Sequence, residues 1–268
     1  MNWSGVADAI ASYCSPVSLI SLALTCKTAY QSKLRFWVYK RMEQLLFQIV
    51  RRYIGNVPDD FMITVGSEVT FFGSSVMLAF MGDEGQFVPG DVDMMCLLDK
   101  SERKLFVSLD DFVSNIHTQS FFAQFYDQIE FKNAYDQTSR FYDDVKVGRV
   151  ENRFDLVMIF TYHKDPFWMV QQSPCPICHL CFTKGKFNIT SKAIEALRSR
   201  DVVIEPRSHI SEKQIDVMRK YLEKGFRITI QLDVSDNYDF RRMREYRFYA
   251  FCERFVKDNV VHFTLKSE

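Results

Sequence analysis

The sequence predicts an α+β fold in which a small helical segment precedes a domain built on a mixed β-sheet. The first 50 residues carry apolar side chains at helical spacing and contain almost no Gly or Pro. Two later runs, Asp91 to Leu98 and Arg153 to Tyr162, are largely apolar, which is typical of buried strands. The composition, 47% hydrophobic and 25% charged, is that of an ordered globular chain. We therefore divide the chain into a helical segment, residues 1–55, and a sheet domain, residues 56–268.

Pro16 divides the helical segment. Apolar residues between Val6 and Cys14 recur at helical spacing and predict a first helix. Since proline is favoured in the first turn of a helix and disrupts a helix interior, Pro16 predicts the start of a second helix. A longer amphipathic pattern runs from Ala29 to Arg52 and ends at the turn sequence Gly55-Asn56-Val57-Pro58.

The rest of the chain alternates apolar runs with turn signals, which predicts a mixed sheet followed by a C-terminal α/β extension. In chain order the predicted elements are strands at Phe61–Val65 and Val69–Phe72, a helix or loop after Gly73-Ser74, a strand at Asp91–Leu98, a helix at Leu109–Phe125, a strand at Arg153–Tyr162, a hairpin of Ile177–Phe182 and Phe187–Thr190, helices at Ser191–Arg198 and Ser211–Lys224, a strand at Phe226–Leu232 and a helix at Tyr238–Lys257. Gly225 is expected to cap the second of the two adjacent helices.

Two carboxylates, Asp91 and Asp93, occupy alternating positions at the start of the first apolar run. Side chains two residues apart on a strand point to the same face, so these carboxylates are expected to project together. Like charges held this close favour a neutralising cation, and Mg²⁺ with its preference for oxygen ligands provides one. A third carboxylate, Asp155, lies within the second apolar run. The pattern indicates metal-assisted phosphoryl chemistry.

Phe72-Gly73-Ser74, the pair Asp91 and Asp93, and Asp155 together resemble the signature of the polymerase-β-like nucleotidyltransferase superfamily. That signature is an apolar residue, Gly, then Gly or Ser, a spacer, two alternating carboxylates, and a third carboxylate on a later strand. The similarity covers about residues 60–235. The spacer before Asp91 is longer than is usual in the superfamily, because it includes residues 82–90.

The resemblance implies an enzyme that moves a nucleoside monophosphate from an NTP to a hydroxyl on RNA, a protein or a small molecule. Asp91 and Asp93 would hold Mg²⁺ or Mn²⁺ at the triphosphate, and Asp155 would complete the site of the attacking hydroxyl. All three aspartates are therefore candidate catalytic residues and metal ligands. Gly73 would let the backbone approach the phosphates, and the Ser74 hydroxyl would bind them.

The N-terminal segment carries a second resemblance. Residues Ile10 to Pro16, followed by the Leu-rich run Leu19 to Tyr30, are similar to an F-box. The usual Leu-Pro opening is replaced here by Asn2-Trp3-Ser4-Gly5. This resemblance implies docking on a Skp1-like adaptor of ubiquitin ligases through residues 1–50. The alternative is a plain helical cap packed on the sheet domain.

Whether the chain is an enzyme is left open by the sequence, because an inactive relative can keep part of such a site. The alternative function is a catalytically inactive nucleotidyltransferase-fold scaffold. Such a scaffold would act as an F-box-type adaptor or as a structural protein, for example in a large DNA virus.

Charge and hydropathy restrict the class of protein. The 34 basic and 34 acidic residues give a formal net charge of zero, which excludes the overall positive charge of a dedicated nucleic-acid binder. We expect no membrane span, because no apolar run approaches the length of about 20 residues that one needs. The N-terminus lacks the features of a signal peptide, and seven irregularly spaced cysteines do not suggest a disulfide framework. We expect a cytoplasmic or nuclear protein that is not secreted.

Three further groups of residues have both a functional and a structural interpretation. The segment Cys175 to Cys181 suggests zinc ligands, but in a strand Cys178 would point away from Cys175 and Cys181, which favours buried thiols. The other two groups are basic. A group of lysines would bind a triphosphate, and a group of arginines would form a nucleic-acid surface; alternatively, both belong to the faces of ordinary helices. They comprise Lys184, Lys186, Lys213, Lys220 and Lys224, and Arg241, Arg242, Arg244 and Arg247 with the aromatic residues between them.

Overall fold

A computed structural model of the chain describes residues 13–25, 34–55, 69–82, 85–99, 130–133, 144–161, 164–173, 175–204, 212–232 and 261–265. They belong to two compact units, one within residues 1–170 and 180–188 and the other within residues 171–179 and 189–268. Four sequence predictions lie wholly or mostly outside the described residues. They are the helix before Pro16, the strand Phe61–Val65, and the helices Leu109–Phe125 and Tyr238–Lys257.

The first unit contains helices and a seven-stranded mixed sheet, which confirms the α+β class. Its helices are α1 (Pro16–Thr25), α2 (Leu34–Ile54), α3 (Gly73–Met81) and α4 (Pro166–Val170). Its strands are β1 (Val69–Phe72), β2 (Val92–Asp99), β3 (Glu130–Asn133), β4 (Asp144–Val150), β5 (Phe154–Thr161), β6 (Leu180–Thr183) and β7 (Lys186–Ile189). The strand order is β3-β4-β5-β2-β1-β6-β7. Strands β2 and β5 are parallel, whereas β1 with β2 and β4 with β5 are antiparallel.

Both faces of this sheet are buried around its centre. On one face α4 contributes Met169 and Val170 to an apolar cluster with Met95 of β2 and Ile159 of β5. The residues that alternate with these, such as Met94, are buried too. The central strands are covered on both faces. Their near-continuous apolar sequences therefore correctly indicated a central place in the sheet.

The N-terminal helices pack within the first unit. Helix α1 contacts α2 and α3, and α3 contacts β1, β2 and β6. Val17 and Leu19 of α1 and Leu46 of α2 are buried. Helices α1 and α2 thus share one compact unit with the sheet, and the division of the chain at residue 55 stays a prediction from sequence.

The second unit contains helices and a three-stranded parallel sheet. Its elements are a 3₁₀ turn (Pro176–Cys178), α5 (Ser191–Ser199), β8 (Asp201–Ile204), α6 (Glu212–Glu223), β9 (Arg227–Leu232) and β10 (Val261–Leu265). The sheet order is β10-β9-β8. The Thr190 hydroxyl caps α5 by accepting the Ala193 N–H at 3.2 Å, and Gly225, with φ of +80°, follows α6 as expected.

Strand predictions failed where the hydrophobic pattern is weak or a proline intervenes. Strands β3, β4, β8 and β10 were not predicted, because they are short or carry charged residues between the apolar ones. The strand predicted from Ile177 was wrong in its first part. Pro176 instead begins a 3₁₀ turn, in which the His179 N–H donates to the Pro176 carbonyl at 2.9 Å, and β6 begins only at Leu180.

None of the helices in the described parts of the chain has both the length and the apolar character required to cross a membrane.

Candidate active site

The three aspartates predicted from sequence converge at the N-terminal ends of two central strands of the first unit's sheet. Asp93 of β2 is in register with Asp155 of the parallel strand β5, and Asp91 immediately precedes β2. Neighbouring residues at one register position point to the same face of a sheet. One carboxylate oxygen from each of the three residues lies within 4.8 Å of the other two. All three side chains are half-buried, so the carboxylates are held by the fold yet remain accessible.

Backbone contacts fix the start of β2. The Val92 N–H donates to the Arg153 carbonyl at 2.9 Å, which aligns the first residues of β2 and β5. The Ser75 hydroxyl donates to the Asp91 carbonyl at 2.7 Å. This second bond attaches the residue before β2 to the first turn of α3, so the positions of Asp91 and α3 are coupled.

Gly73 allows the Asp93 carboxylate to lie against the beginning of α3. Gly73 has a φ of +72°, a left-handed conformation that side chains disfavour. A Cβ atom added there would lie 2.0 Å from Asp93 Oδ2, which is far inside contact distance. The first N–H groups of a helix have no partner within the helix and attract negative charge. Position 73 therefore requires glycine for two reasons: its backbone is left-handed, and a side chain there would overlap the Asp93 carboxylate.

Ser74, the other residue predicted to bind phosphate, lies in the first turn of α3. Its side chain is 2% exposed. Within the described part of the chain, its hydroxyl has no hydrogen-bond partner. Buried hydroxyl groups are rarely left unpaired, because the lost hydrogen bonds to water then have no replacement. An unpaired hydroxyl at this position fits a residue that hydrogen-bonds a ligand.

Arg149 is the residue of this site that the sequence prediction missed. It lies on β4 in register with Asp155 and forms a two-pronged ion pair, with Nε 2.7 Å from Oδ1 and Nη2 2.5 Å from Oδ2. The Arg149 side chain is 58% exposed, whereas that of Asp155 is 13% exposed. The bond to Asp155, supported by the charges of Asp91 and Asp93, raises the pKa of Arg149 further above its already high value. The guanidinium thus supplies positive charge to the carboxylate cluster.

A sequence signal for Arg149 did exist. Val145, Val147 and Arg149 occupy alternating positions directly before a short turn, which is the period of a strand. The turn comprises residues 151–153 and closes with the Arg153 N–H donating to the Val150 carbonyl at 3.0 Å. Asn152 has a φ of +56°, as is common for Asn in such three-residue hairpin loops.

A polar cavity of about 510 Å³ lies between this turn and the end of α2. It is lined by Arg52, Tyr53, Ile54, Gly55, Glu151, Asn152 and Arg153. The turn leads directly into β5, two residues before Asp155. The cavity therefore adjoins the strand that carries the third carboxylate, and its size is within the range typical of small-molecule sites.

Tyr53 connects α2 with the segment before Asp91. Its hydroxyl donates to the Pro89 carbonyl in a short hydrogen bond. Partial burial raises the pKa of Tyr53; Arg52 opposes this shift and the negative charge of Asp91 adds to it. The phenol is therefore neutral at physiological pH and remains a hydrogen-bond donor.

We expect Arg149 to compete with metal ions for Asp155. Replacing Arg149 by Met removes the cation but keeps the length of the side chain, so the affinity for Mn²⁺ should increase about tenfold, equivalent to the loss of one charge-assisted hydrogen bond. Mn²⁺ binding can be measured by electron paramagnetic resonance of the free ion. Arg198→Met, on the exposed side of α5, is the control and should leave the affinity unchanged. Weaker Mn²⁺ binding by Arg149→Met would show that Arg149 supports the site instead.

The cysteine segment considered from sequence does not form a comparable site. Among the described residues, the three aspartates form the one group of three or more His, Cys, Asp or Glu side chains that can share an ion. The zinc interpretation of residues 175–181 therefore has no support. Burial raises the pKa of Cys181 to about 12, as expected for an inert thiol. Lys184 lies in the β6–β7 turn and Lys186 begins β7, whereas Arg241 to Arg247 lie outside the described residues.

No protein-family model matches the chain, and no curated protein shows significant similarity to it. The function is therefore inferred from the residues and their geometry.

Proposed function

We propose that this protein is a metal-dependent nucleotidyltransferase that moves a nucleoside monophosphate from an NTP to a hydroxyl acceptor. The convergence of Asp91, Asp93 and Asp155 within 4.8 Å carries this proposal. The position of Gly73 against Asp93 and the resemblance of the Phe72-Gly73-Ser74 motif to the polymerase-β-like superfamily support it. The nucleotidyltransferase-like fold of residues 56–268 is part of the same proposal.

The donor set fits a small hard cation. Three carboxylates supply only oxygen ligands, a set that favours Mg²⁺ and Mn²⁺ over zinc and copper, for which nitrogen and sulfur ligands are more typical. Such ions would offset the negative charge of the triphosphate and of the attacking oxygen. Half-burial of the carboxylates is compatible with this role, because an exchangeable ion needs access from solvent.

Each residue then has a defined task. Asp91 and Asp93 would be the ligands nearest the beginning of α3, where Gly73 leaves room for the Asp93 carboxylate. The buried Ser74 hydroxyl would donate to a phosphate oxygen. Asp155 completes the site for the acceptor hydroxyl. Its ion pair with Arg149 would have to open for Asp155 to bind a metal ion.

The cavity beside β5 is the proposed position of the acceptor or of the nucleotide base. Arg52 and Arg153 contribute positive charge to its lining, which favours a phosphate-bearing molecule. RNA and phosphorylated small molecules satisfy this chemistry, whereas an uncharged hydrophobic acceptor does not.

A second candidate, the inactive scaffold, is favoured by the Arg149–Asp155 ion pair. Because the guanidinium already balances one carboxylate, the cluster can persist without a metal. The N-terminal helices would then carry the function, as an F-box-type segment that binds a Skp1-like adaptor or as part of a structural protein. The burial of Val17 and Leu19 in the first unit supports the helical-cap alternative over an adaptor-binding face.

NTP binding separates these candidates. The full chain is incubated with each labelled NTP in the presence of Mg²⁺, Mn²⁺ or EDTA, and bound nucleotide and released pyrophosphate are measured. The nucleotidyltransferase proposal expects NTP binding with at least one metal and none with EDTA, and pyrophosphate release when an acceptor such as RNA is supplied. Absence of NTP binding with both metals would favour the scaffold.

A further inference from the structure

The segment Cys175-Pro176-Ile177-Cys178 places two thiols at the ends of one 3₁₀ turn in the second unit. The Cys178 N–H donates to the Cys175 carbonyl at 2.9 Å, which closes the turn. Residues that close such a turn have Cα atoms within about 7 Å of each other. Disulfides span Cα separations of about 4.4–6.8 Å. Side chains at i and i+3 of a 3₁₀ helix also lie on the same side. Both cysteines are free thiols in a backbone geometry that a disulfide can bridge.

The two cysteines differ in residue burial and in their neighbours. Cys175 is buried, at 1% exposure, whereas Cys178 is only partly buried. The Tyr221 hydroxyl of α6 lies 3.0 Å from the Cys178 sulfur. Tyr221 is itself held edge-on against Phe226. When Cys178 is ionised, this fixed hydroxyl can donate a hydrogen bond to the thiolate.

The surroundings favour ionisation of Cys178 over Cys175. The hydrogen bond between the two thiols lowers the pKa of Cys178 and outweighs its burial, and contacts with Tyr221, Ser173 and the charge of Lys220 lower it further. The same hydrogen bond, together with burial, raises the pKa of Cys175. The thiol that its hydrogen bonds favour as thiolate, Cys178, is thus the better nucleophile, and Cys175 is placed to react second.

We propose that Cys175 and Cys178 form a reversible dithiol–disulfide pair, in which Cys178 is the attacking thiol and a low-molecular-weight disulfide is the oxidant. The Cys178 thiolate attacks the external disulfide, forms a mixed disulfide and releases one thiolate. Cys175 then loses its proton and attacks the Cys178 sulfur, which releases the second external thiolate. Two protein thiols are oxidised to one disulfide, and one external disulfide is reduced to two thiols. This pair is independent of the carboxylate site and of the proposed nucleotidyl transfer.

Glutathione disulfide is the probe for this pair. The reduced full chain is equilibrated with mixtures of oxidised and reduced glutathione, quenched with acid and alkylated, and its peptides are identified by mass spectrometry. We expect a Cys175–Cys178 disulfide that reverses when reduced glutathione is added. Cys175→Ser should accumulate glutathione on Cys178, because the second attack is removed. Cys181→Ser is the control, and it should form the disulfide as the unmodified chain does.

Three results would overturn the proposal. One is the absence of a Cys175–Cys178 disulfide in the unmodified chain at every glutathione ratio. Another is that Cys178→Ser acquires glutathione on Cys175 as fast as Cys175→Ser does on Cys178. The third is stoichiometric zinc in the reduced chain that protects both thiols from alkylation. The first and third use the unmodified chain, so they do not depend on the folding of a variant.

Discussion

Asp93→Asn is expected to abolish metal-dependent NTP binding and turnover without unfolding the protein. The Asp93 carboxylate lies against Gly73, and Asp93 is in register with Asp155, so under the proposed function it is one of the three metal ligands. An amide keeps the shape of the side chain but loses its charge. Because even indirect supporting residues change metal affinity about 10–100-fold, loss of a ligand should weaken Mn²⁺ binding by at least about a hundredfold. NTP turnover should fall at least as far.

Thermal unfolding shows whether lost activity reflects lost structure. Removing one of three adjacent negative charges reduces repulsion in the metal-free state, so Asp93→Asn should keep or exceed the unfolding temperature of the parent without metal. Added Mn²⁺ should stabilise the parent and leave the variant unchanged. Asp216→Asn, an exposed charge on α6, is the matched control and should respond to Mn²⁺ like the parent. If Asp93→Asn retains the Mn²⁺-dependent stabilisation, Asp93 is not a metal ligand.

Gly73→Ala should be strongly destabilising. The added methyl group would meet Asp93 Oδ2 at 2.0 Å, and the φ of +72° disfavours any residue with a Cβ atom. A left-handed alanine costs about 1–2 kcal/mol, and a forced steric overlap in a packed site adds about 1–3 kcal/mol. The expected loss in free energy of unfolding is therefore about 3 kcal/mol, measured by urea denaturation monitored within the first unit.

Gly185→Ala is the control that measures the cost of a left-handed alanine alone, without steric overlap with a neighbouring side chain. Gly185 has a φ of +70° in the β6–β7 turn, and a Cβ atom there would meet nothing within 4 Å. This variant should therefore show only the backbone cost, about 1 kcal/mol. If Gly73→Ala matches Gly185→Ala in stability and also binds Mn²⁺ like the parent, the contact with Asp93 is unimportant. A stable Gly73→Ala variant that fails to bind Mn²⁺ would instead mean that the methyl group displaces the carboxylate.

The sequence predicted those parts of the site that lie on strongly patterned elements. Strands β1, β2 and β5 are mostly apolar, so Asp93 and Asp155 stand out as charges within them and Asp91 as a charge directly before β2. Gly73 was recognisable as a site residue because it lies where the predicted strand ends and the next element begins. Convergence of the carboxylates then depended only on β2 and β5 being neighbours.

Arg149 and the cavity could not be predicted in the same way. Strand β4 has a charged or small residue at most positions, so its propensity is weak and its pairing with β5 decides its conformation. The cavity brings together residues about 100 positions apart, Arg52 and Arg153. Such a contact depends on how α2 packs, and no local pattern encodes it. The 3₁₀ turn at Pro176 was missed because apolar residues on both sides resemble a strand.

The in-register pairing of Asp93 with Asp155 has a consequence for how this chain can change during evolution. A slip of a single residue between β2 and β5 would turn Asp155 to the opposite face and dismantle the carboxylate cluster. By contrast, the 61 residues that separate the two aspartates in sequence do not set their distance. Insertions and deletions between β2 and β4 therefore leave the cluster intact as long as the ladder keeps its alignment. The connecting residues can therefore diverge in length and sequence while the carboxylate geometry is preserved.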